Sequence, residues 1–231
     1  MTRQIYLTVI VLTVSFLIFE FSQIDLLVQD QFFDFSNTSW LIDRHNPLIK
    51  FLFYDGIKVC YILFVMTLLV TLIGFGRRRK IAPHTRALII VLASTIVIPV
   101  TVNMLKASTN VACPRELTRY GGTYPYVSVM QAYPGSFIQQ KSARCFPAGH
   151  ASGGFALLSL CLLFNTPRAR ALAIGAGLGI GWTLGLYKMA IGDHFLGHTV
   201  ITMLLAWLII LMLNRVIGGT SGTVRINGQD H

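Results

Sequence analysis

The sequence predicts an all-α protein, a bundle of six membrane-spanning helices with one long loop between the third and fourth spans. Three observations lead to this prediction. Hydrophobic residues make up 54% of the 231 residues and charged residues only 12%, which is about half the charged fraction of a soluble domain. The mean hydropathy is +0.63. The apolar residues fall into six runs, most of them near the roughly 20 residues that cross a bilayer as a helix.

The six predicted spans are residues 5–21, 57–75, 87–105, 151–164, 171–190 and 196–217. The first follows Arg3 as a signal peptide would, but no small-residue cleavage site comes after it, so we expect it to be retained. The fourth is short, and we expect it to begin further upstream. Residues 47–54 are either an interfacial amphipathic segment or an early start of the second span.

The fifth span is rich in glycine, which lets neighbouring helices approach closely. The glycines are Gly175, Gly177, Gly179, Gly181 and Gly185. We expect residues 1–217 to form a single transmembrane domain. Residues 218–231 are polar and Gly-rich, and we expect them to be disordered.

Basic residues between the spans predict the orientation of the chain. One side would carry Arg3, Arg77, Arg78, Arg79, Lys80, Arg86, Arg168, Arg170 and Arg215. Because such residues stay in the cytoplasm, we expect both termini there, and the loops 22–56, 106–150 and 188–195 on the periplasmic side of a bacterial inner membrane. The net charge of +10 is then explained by topology and lipid headgroups, not by nucleic acid.

The loop 106–150 is unusual for its side of the membrane because it is itself basic. An exposed basic loop on the translocated side is well explained by binding of an anion. The loop also contains Cys113 and Cys145, and in an oxidising periplasm we expect these two cysteines to form a disulfide.

Three stretches of the sequence combine cations and histidines: residues 106–115, 145–153 and 187–198. Each lies where a periplasmic loop meets the end of a predicted span. We therefore expect these three distant segments to converge at one depth in the membrane.

The residue types in these stretches are those that a phosphate ester requires. Its oxygens are held by cations and backbone amides. The cations would be Lys106, Arg115, Arg144 and Lys188, and the amides would come from Gly149 and its neighbour at a helix N-terminus. Taken singly, each residue has an ordinary explanation, since loop cations can simply bind headgroups.

Two histidines suffice for covalent catalysis, one attacking phosphorus and one protonating the leaving oxygen. His194 and His150 are the candidates, and His198, one helical turn after His194, would orient it by a hydrogen bond. No carboxylate and histidine cluster with metal-ligand spacing occurs in these loops, so we expect neither a metal nor another cofactor.

These motifs resemble the signature of the type 2 phosphatidic acid phosphatase (PAP2) superfamily, which reads K-x6-R-P, P-S-G-H and S-R-x5-H-x3-D. Lys106 and Pro114 match the first motif, Pro147, Gly149 and His150 the second, and His194 the third. The resemblance implies a six-span fold, His194 as nucleophile, His150 as acid and base, and Lys106 as a phosphate ligand.

Five positions depart from that signature. Cys113 stands in place of the first arginine, Ala148 of the serine in P-S-G-H, Tyr187 of the third-motif serine, Lys188 of its arginine and His198 of its aspartate. Arg115 is the expected replacement for the arginine. The last departure matters most, because a carboxylate stabilises an imidazolium whereas a neutral histidine only orients.

Asp193 and Glu116 are the candidates to supply the missing carboxylate. The pattern around Cys113, Cys145 and His198 also looks like a bacterial branch of PAP2 proteins associated with envelope lipids. The function expected from these observations is hydrolysis of a phosphomonoester or pyrophosphate on lipid A, phosphatidate, phosphatidylglycerol phosphate or undecaprenyl pyrophosphate. The alternatives are a lipid phosphotransferase, or a catalytically weak lipid-binding or transport protein. The sequence predicts membrane lipids as partners and leaves the oligomeric state open.

Overall fold

The structure is a computed structural model that describes residues 2–76 and 83–218. The predicted basic cluster of residues 77–80 and nearly all of the predicted tail, residues 219–231, lie outside the described residues.

The described chain is mainly helical. The long helices are α1 (Thr2–Phe21), α4 (Gly56–Gly76), α5 (Pro83–Ser108), α7 (Pro167–Ala190) and α8 (Leu196–Gly218). The short ones are α2 (Ile24–Gln29), α3 (Pro47–Lys50) and α6 (Gly149–Ala156). Two strands, β1 (Phe33–Asp34) and β2 (Ser39–Trp40), pair antiparallel. Single 3-10 turns occupy Asp30–Phe32, Pro114–Glu116 and Thr118–Tyr120.

Five helices of the described chain are long and apolar enough to cross a membrane. They correspond to predicted spans one, two, three, five and six. In the position of the fourth lies a shorter apolar helix, Gly149–Leu163. It starts two residues upstream of the predicted span, as α6, and continues as a 3-10 helix over Leu157–Leu163.

The second long helix begins earlier than residue 57. Asn46 caps α3 by accepting the backbone N–H groups of Leu48 and Ile49, and the helix runs through a π-helical turn, Phe51–Asp55, into α4. Residues Pro47–Gly74 therefore form one apolar helix. Of the two alternatives for residues 47–54, the structure has the early start of the span.

The core lies where α5, α6 and α8 meet, around Ile98, Phe155 and Ile210. Glycines bring α7 against this core. A Cβ on Gly177 would lie 2.8 Å from the backbone N of Leu158, and one on Gly181 would lie 2.3 Å from the ring of Phe155. Gly175 and Gly179 have open space instead, so only part of the glycine pattern serves close packing.

Helices α1 and α4 present most of their apolar surface outwards. Only 11% of the α1 span and 6% of the span Pro47–Gly74 is buried in the fold, compared with 39% for α8. Apolar surface on this scale is stable when it faces lipid.

The three loops predicted to share one side meet at one end of the bundle. An aromatic cluster that includes Phe33, Trp40 and Tyr120 joins the first loop to the second. Helix α2 reaches the third, because Gln29 donates from its side-chain amide to the carbonyl of Met189 (2.9 Å), and Asp25 accepts the backbone N–H of Gly197 (2.7 Å). The three motif segments that carry the candidate catalytic and phosphate-binding residues lie at this end of the bundle.

Candidate active site

The three motif segments line one cavity of about 280 Å³ at the end of the bundle. Its wall includes Lys106 from the end of α5, Arg115 from the long loop, His150 from the start of α6 and His194 from the turn between α7 and α8. The convergence predicted from their positions along the chain is therefore present. Lys141 and Arg144 contribute two exposed cations to the same cavity.

The turn that carries His194 is tightly built. Gly192 has a left-handed backbone (φ +74°), and a Cβ at this position would lie 2.4 Å from the indole ring of Trp40. Only glycine satisfies both conditions without strain. The carbonyl of Gly192 accepts the N–H of Arg115 at 3.0 Å, and the N–H of Asp193 donates to the carbonyl of Lys188 at 2.7 Å. The position of His194 is thus fixed from two sides.

The imidazole of His194 is almost fully enclosed, with 2% of the residue exposed. Its Nδ1 lies 3.5 Å from Nδ1 of His198 and 3.6 Å from Sγ of Cys145. Since Nδ1 faces these two neighbours, Nε2 is the nitrogen left for the cavity. His198 is 3% exposed.

Burial sets the charge state of His194. Removal from water, together with the neighbouring His198 and Lys106, holds the pKa of His194 well below its usual value. The ring is therefore neutral at neutral pH, which is the form that has a lone pair for attack.

His150 lies in the first turn of α6, where backbone N–H groups lack partners within the helix. Its ring centroid lies 5.0 Å from that of Tyr54, and Nζ of Lys188 lies 5.3 Å from the Tyr54 ring. Gly149 begins the same turn. The amide of Ala148 is already committed, because it donates to Oγ1 of Thr202 at 2.8 Å.

Asp193 connects two of the predicted cations. Its carboxylate forms ion pairs with Arg115 and with Lys188, the latter at 2.7 Å. Lys188 is only 6% exposed, although it ends a membrane-spanning helix. Burial also lowers the pKa of Arg115. An anionic ligand in the cavity would either displace the Asp193 carboxylate from Arg115 and Lys188 or bind these two cations together with it.

Neither candidate for the missing carboxylate contacts the His194 ring through any interaction described for these residues. Asp193 pairs with the two cations, and Glu116 accepts the backbone N–H of Cys113 at 2.8 Å. His198 occupies the position of the motif aspartate and lies next to the ring of His194. That His198 only orients this ring stays a prediction.

The two loop cysteines are joined in the structure. Cys113 and Cys145 form a disulfide with Cα atoms 5.1 Å apart. Cys145 is fully buried, and its Sγ also lies 2.7 Å from the carbonyl oxygen of Asp193. The disulfide thus lies directly behind the turn that carries His194.

Two residues at the site were missed by the sequence analysis. Tyr54 reaches His150 from the helix that begins at Pro47. Asp25 lines a second, small cavity on the far side of His198. The Asn46–Pro47 pair, a typical N-cap and first helical residue, was a signal that could have placed Tyr54 on this helix. We find no such signal for Asp25.

Fold and site together define a class of protein: an α-helical membrane protein whose cationic, histidine-lined cavity suits a phosphate group. Residues 87–220 match the family model of the PAP2 superfamily. Since this is more than half of the chain, the chain belongs to that superfamily, and membership implies phosphatase-type chemistry on a phosphate substrate. Comparisons with curated proteins and with solved structures found no match.

Proposed function

We propose that this protein is an integral-membrane lipid phosphatase that works through a phosphohistidine at His194. The observation that carries the proposal is a buried, neutral His194 that shares one cavity with His150, Lys106 and Arg115. A neutral nucleophile, a second histidine and fixed cations are the groups that phosphoryl transfer needs.

In the first step, Nε2 of His194 attacks phosphorus while Lys106, Arg115 and Lys188 hold the phosphate oxygens. The N–P bond forms as the bond from phosphorus to the leaving oxygen breaks, and His150, protonated when the phosphate anion lies beside it, donates its proton to that oxygen. His198 supports the attack. In the tautomer that this step requires, Nδ1 of His198 accepts the Nδ1–H of His194 and leaves the lone pair on Nε2 of His194.

In the second step, water replaces the lipid alcohol. His150, now neutral, takes a proton from the water as the water attacks phosphorus. The N–P bond breaks, phosphate leaves, and His194 returns to its starting form. The N–H groups of the first turn of α6, at Gly149 and His150, add donors for the phosphate oxygens in both steps.

The proposed substrate is a phosphorylated envelope lipid at the periplasmic face of a bacterial inner membrane, with both termini of the protein in the cytoplasm. The cavity at the ends of the spans supports a lipid, because a headgroup phosphate reaches this depth while the acyl chains stay in the bilayer. Lipid A, phosphatidate, phosphatidylglycerol phosphate and undecaprenyl pyrophosphate all present such a phosphate.

The test is phosphate release from a panel of these four lipids by the purified protein in detergent micelles. We expect turnover of at least one lipid, and losses of about 10³-fold or more in His194→Ala and His150→Ala. His45→Ala is the matched control, since His45 is an exposed histidine of the first periplasmic loop. Wild-type turnover in either of the first two variants would contradict the proposed roles.

The same preparation separates hydrolysis from the alternatives. With a lipid labelled at its terminal phosphate, free labelled phosphate supports hydrolysis, and label on a second lipid alcohol would show transfer instead. Vanadate resembles the five-coordinate transition state, so we expect it to inhibit turnover. Binding of lipid without turnover or vanadate inhibition would favour the lipid-binding or transport protein.

A further inference from the structure

A second set of ligand atoms surrounds Nδ1 of His194, on the side away from the cavity. Within residues 2–76 and 83–218, one group of three histidine, cysteine or carboxylate residues has its donor atoms close enough to hold a metal ion: Cys145, His194 and His198. All three residues are buried, and their donor atoms lie within 4.8 Å of one another. In the described structure the sulfur of Cys145 is bonded to Cys113 and cannot serve as a thiolate ligand.

The spacing of these atoms fits a three-coordinate centre. Metal–nitrogen bonds of about 2.0 Å and metal–sulfur bonds of about 2.3 Å, roughly 120° apart, put ligand atoms about 3.5–3.7 Å from one another. The two Nδ1 atoms of His194 and His198 are 3.5 Å apart, and Nδ1 of His194 is 3.6 Å from Sγ of Cys145. Two of the three separations are therefore already those of a bound ion.

Charge decides which ion fits. Lys106 and Lys188 both repel positive charge at His194, so a divalent ion there would be opposed by fixed cations. A monovalent ion with one thiolate makes a neutral complex and avoids that cost. Thiolate and imidazole ligands together select copper(I) among monovalent ions, because it is soft and accepts low coordination numbers.

We propose that reduction of the Cys113–Cys145 disulfide creates a copper(I) site formed by Cys145, His194 and His198. A dithiol or phosphine reductant supplies two electrons, breaks the S–S bond and leaves two thiols. Copper(I) then displaces the thiol proton of Cys145, and the proton on Nδ1 of His194 moves to Nε2 of the same ring, which leaves the lone pairs of both Nδ1 atoms for the ion. Binding itself does not depend on the proposed function; its consequence, loss of phosphatase activity by immobilising His194, does.

The access route supports this order of events. Cys113 lines the cavity that also contains Lys106 and His150, whereas Cys145 has no exposed surface. A reductant therefore reaches the disulfide through the sulfur of Cys113. After cleavage, the Cys145 thiol stays enclosed beside the two histidines.

The test measures copper(I) binding by the full-length protein in detergent, without oxygen, against a chromophoric copper(I) chelator. The variant Cys113→Ser frees the Cys145 thiol without reductant, and Cys145→Ser removes both the disulfide and the thiol ligand. We expect about one ion per chain in Cys113→Ser and in the reduced wild type, above the binding by Cys145→Ser and by the oxidised wild type. Cys60 and Cys161 are free in every form, so any binding to them is a constant background.

Two further measurements make the result specific. Adding His198→Ala to Cys113→Ser should weaken copper(I) binding at least about tenfold, and zinc(II) should bind Cys113→Ser more weakly than copper(I) does. Equal copper binding by Cys113→Ser and Cys145→Ser would overturn the proposal. Unchanged affinity in the double variant, or preferred binding of zinc, would also overturn it. If Cys113→Ser does not fold, the reduced and oxidised wild types decide the question by the same comparison.

Loss of activity is measured separately, as phosphate release by Cys113→Ser with and without copper(I). Retained copper binding together with unaffected turnover would contradict the role of His194 in catalysis and leave the metal site intact. Absent copper binding with normal turnover would contradict the metal site alone.

Discussion

At the scale of single residues, Asp25 is a buried carboxylic acid in a mostly apolar setting. It is 6% exposed and accepts one hydrogen bond, from the backbone of Gly197. Burial raises the pKa of Asp25 from 3.8 to about 7, and the hydrogen bond from Gly197 opposes this only in part. Near neutral pH the folded protein therefore holds a proton that the unfolded chain releases.

This difference predicts how stability depends on pH. The folded pKa lies above the unfolded value, so the stabilisation by the protonated form is complete below about pH 4 and is lost as pH rises through about 7. The loss is at most roughly 4 kcal/mol. We expect Asp25→Asn, which keeps an acceptor for Gly197, to remove this part of the fall in thermal unfolding midpoint between pH 4 and 8.

Asp30→Asn is the control with the opposite sign. The hydrogen bond from Arg119 is the main cause that lowers the pKa of Asp30. The ionised Asp30 therefore stabilises the fold at neutral pH, and this stabilisation is lost as the pH falls. The two variants should change the slope of the unfolding midpoint against pH with opposite signs, Asp25→Asn between about pH 4 and 7 and Asp30→Asn at more acid pH. A wild-type slope in Asp25→Asn would mean that Asp25 is ionised in the folded protein.

The residues of the site differ in how far a sequence can reveal them. Lys106, His150 and His194 each lie next to the end of a span, where hydropathy fixes the depth, so their convergence follows from the order of helices. Asp25 makes its key contact with Gly197, 172 residues away, and no local pattern records such a contact. The sequence shows that Asp193 and Glu116 are carboxylates near the motifs. It does not show which groups they contact, because only the fold determines that.

At the scale of elements, helix α7 shows why its five glycines are not equivalent. Gly177 faces the backbone of the helix over Leu157–Leu163, whereas Gly179 faces open space. Hydropathy and composition predicted the span and its capacity for close contact. They did not predict which face of the helix makes the contact, because the glycines lie on several sides of it.

The pair Gly177→Ala and Gly179→Ala tests this packing within one helix. Alanine has the higher helix propensity by up to about 1 kcal/mol, so Gly179→Ala should not destabilise the protein. In Gly177→Ala the new methyl group meets backbone at 2.8 Å, and we expect a loss of about 1–3 kcal/mol.

Thermal unfolding in detergent, followed by circular dichroism, measures the difference between the two glycine variants. A midpoint for Gly177→Ala at or above that of Gly179→Ala would show that α7 does not approach the neighbouring helix as closely as described.

At the scale of the whole molecule, the meeting of three loops at one end makes a clear prediction of topology. In a background of Cys60→Ser and Cys161→Ser, a cysteine at the exposed position Ser36 lies in the first loop, which we propose to be periplasmic, and one at Arg168 lies at the start of α7. In intact bacterial cells expressing the protein, we expect a thiol reagent that cannot cross the inner membrane to label Ser36→Cys. Labelling of Arg168→Cys should require lysis, and the reverse pattern would invert the proposed orientation.

Helix α2 also has a consequence for how the protein is made. Its contacts with Met189 and Gly197 join the first thirty residues to a turn that the ribosome produces only after most of the chain. During synthesis the Asp25 carboxylate and the Gln29 side-chain amide therefore lack these partners until the later residues have been made. The turn that carries His194 therefore gains these contacts only when the last helix has been inserted, and we expect a nascent chain stopped before α8 to lack the proposed site.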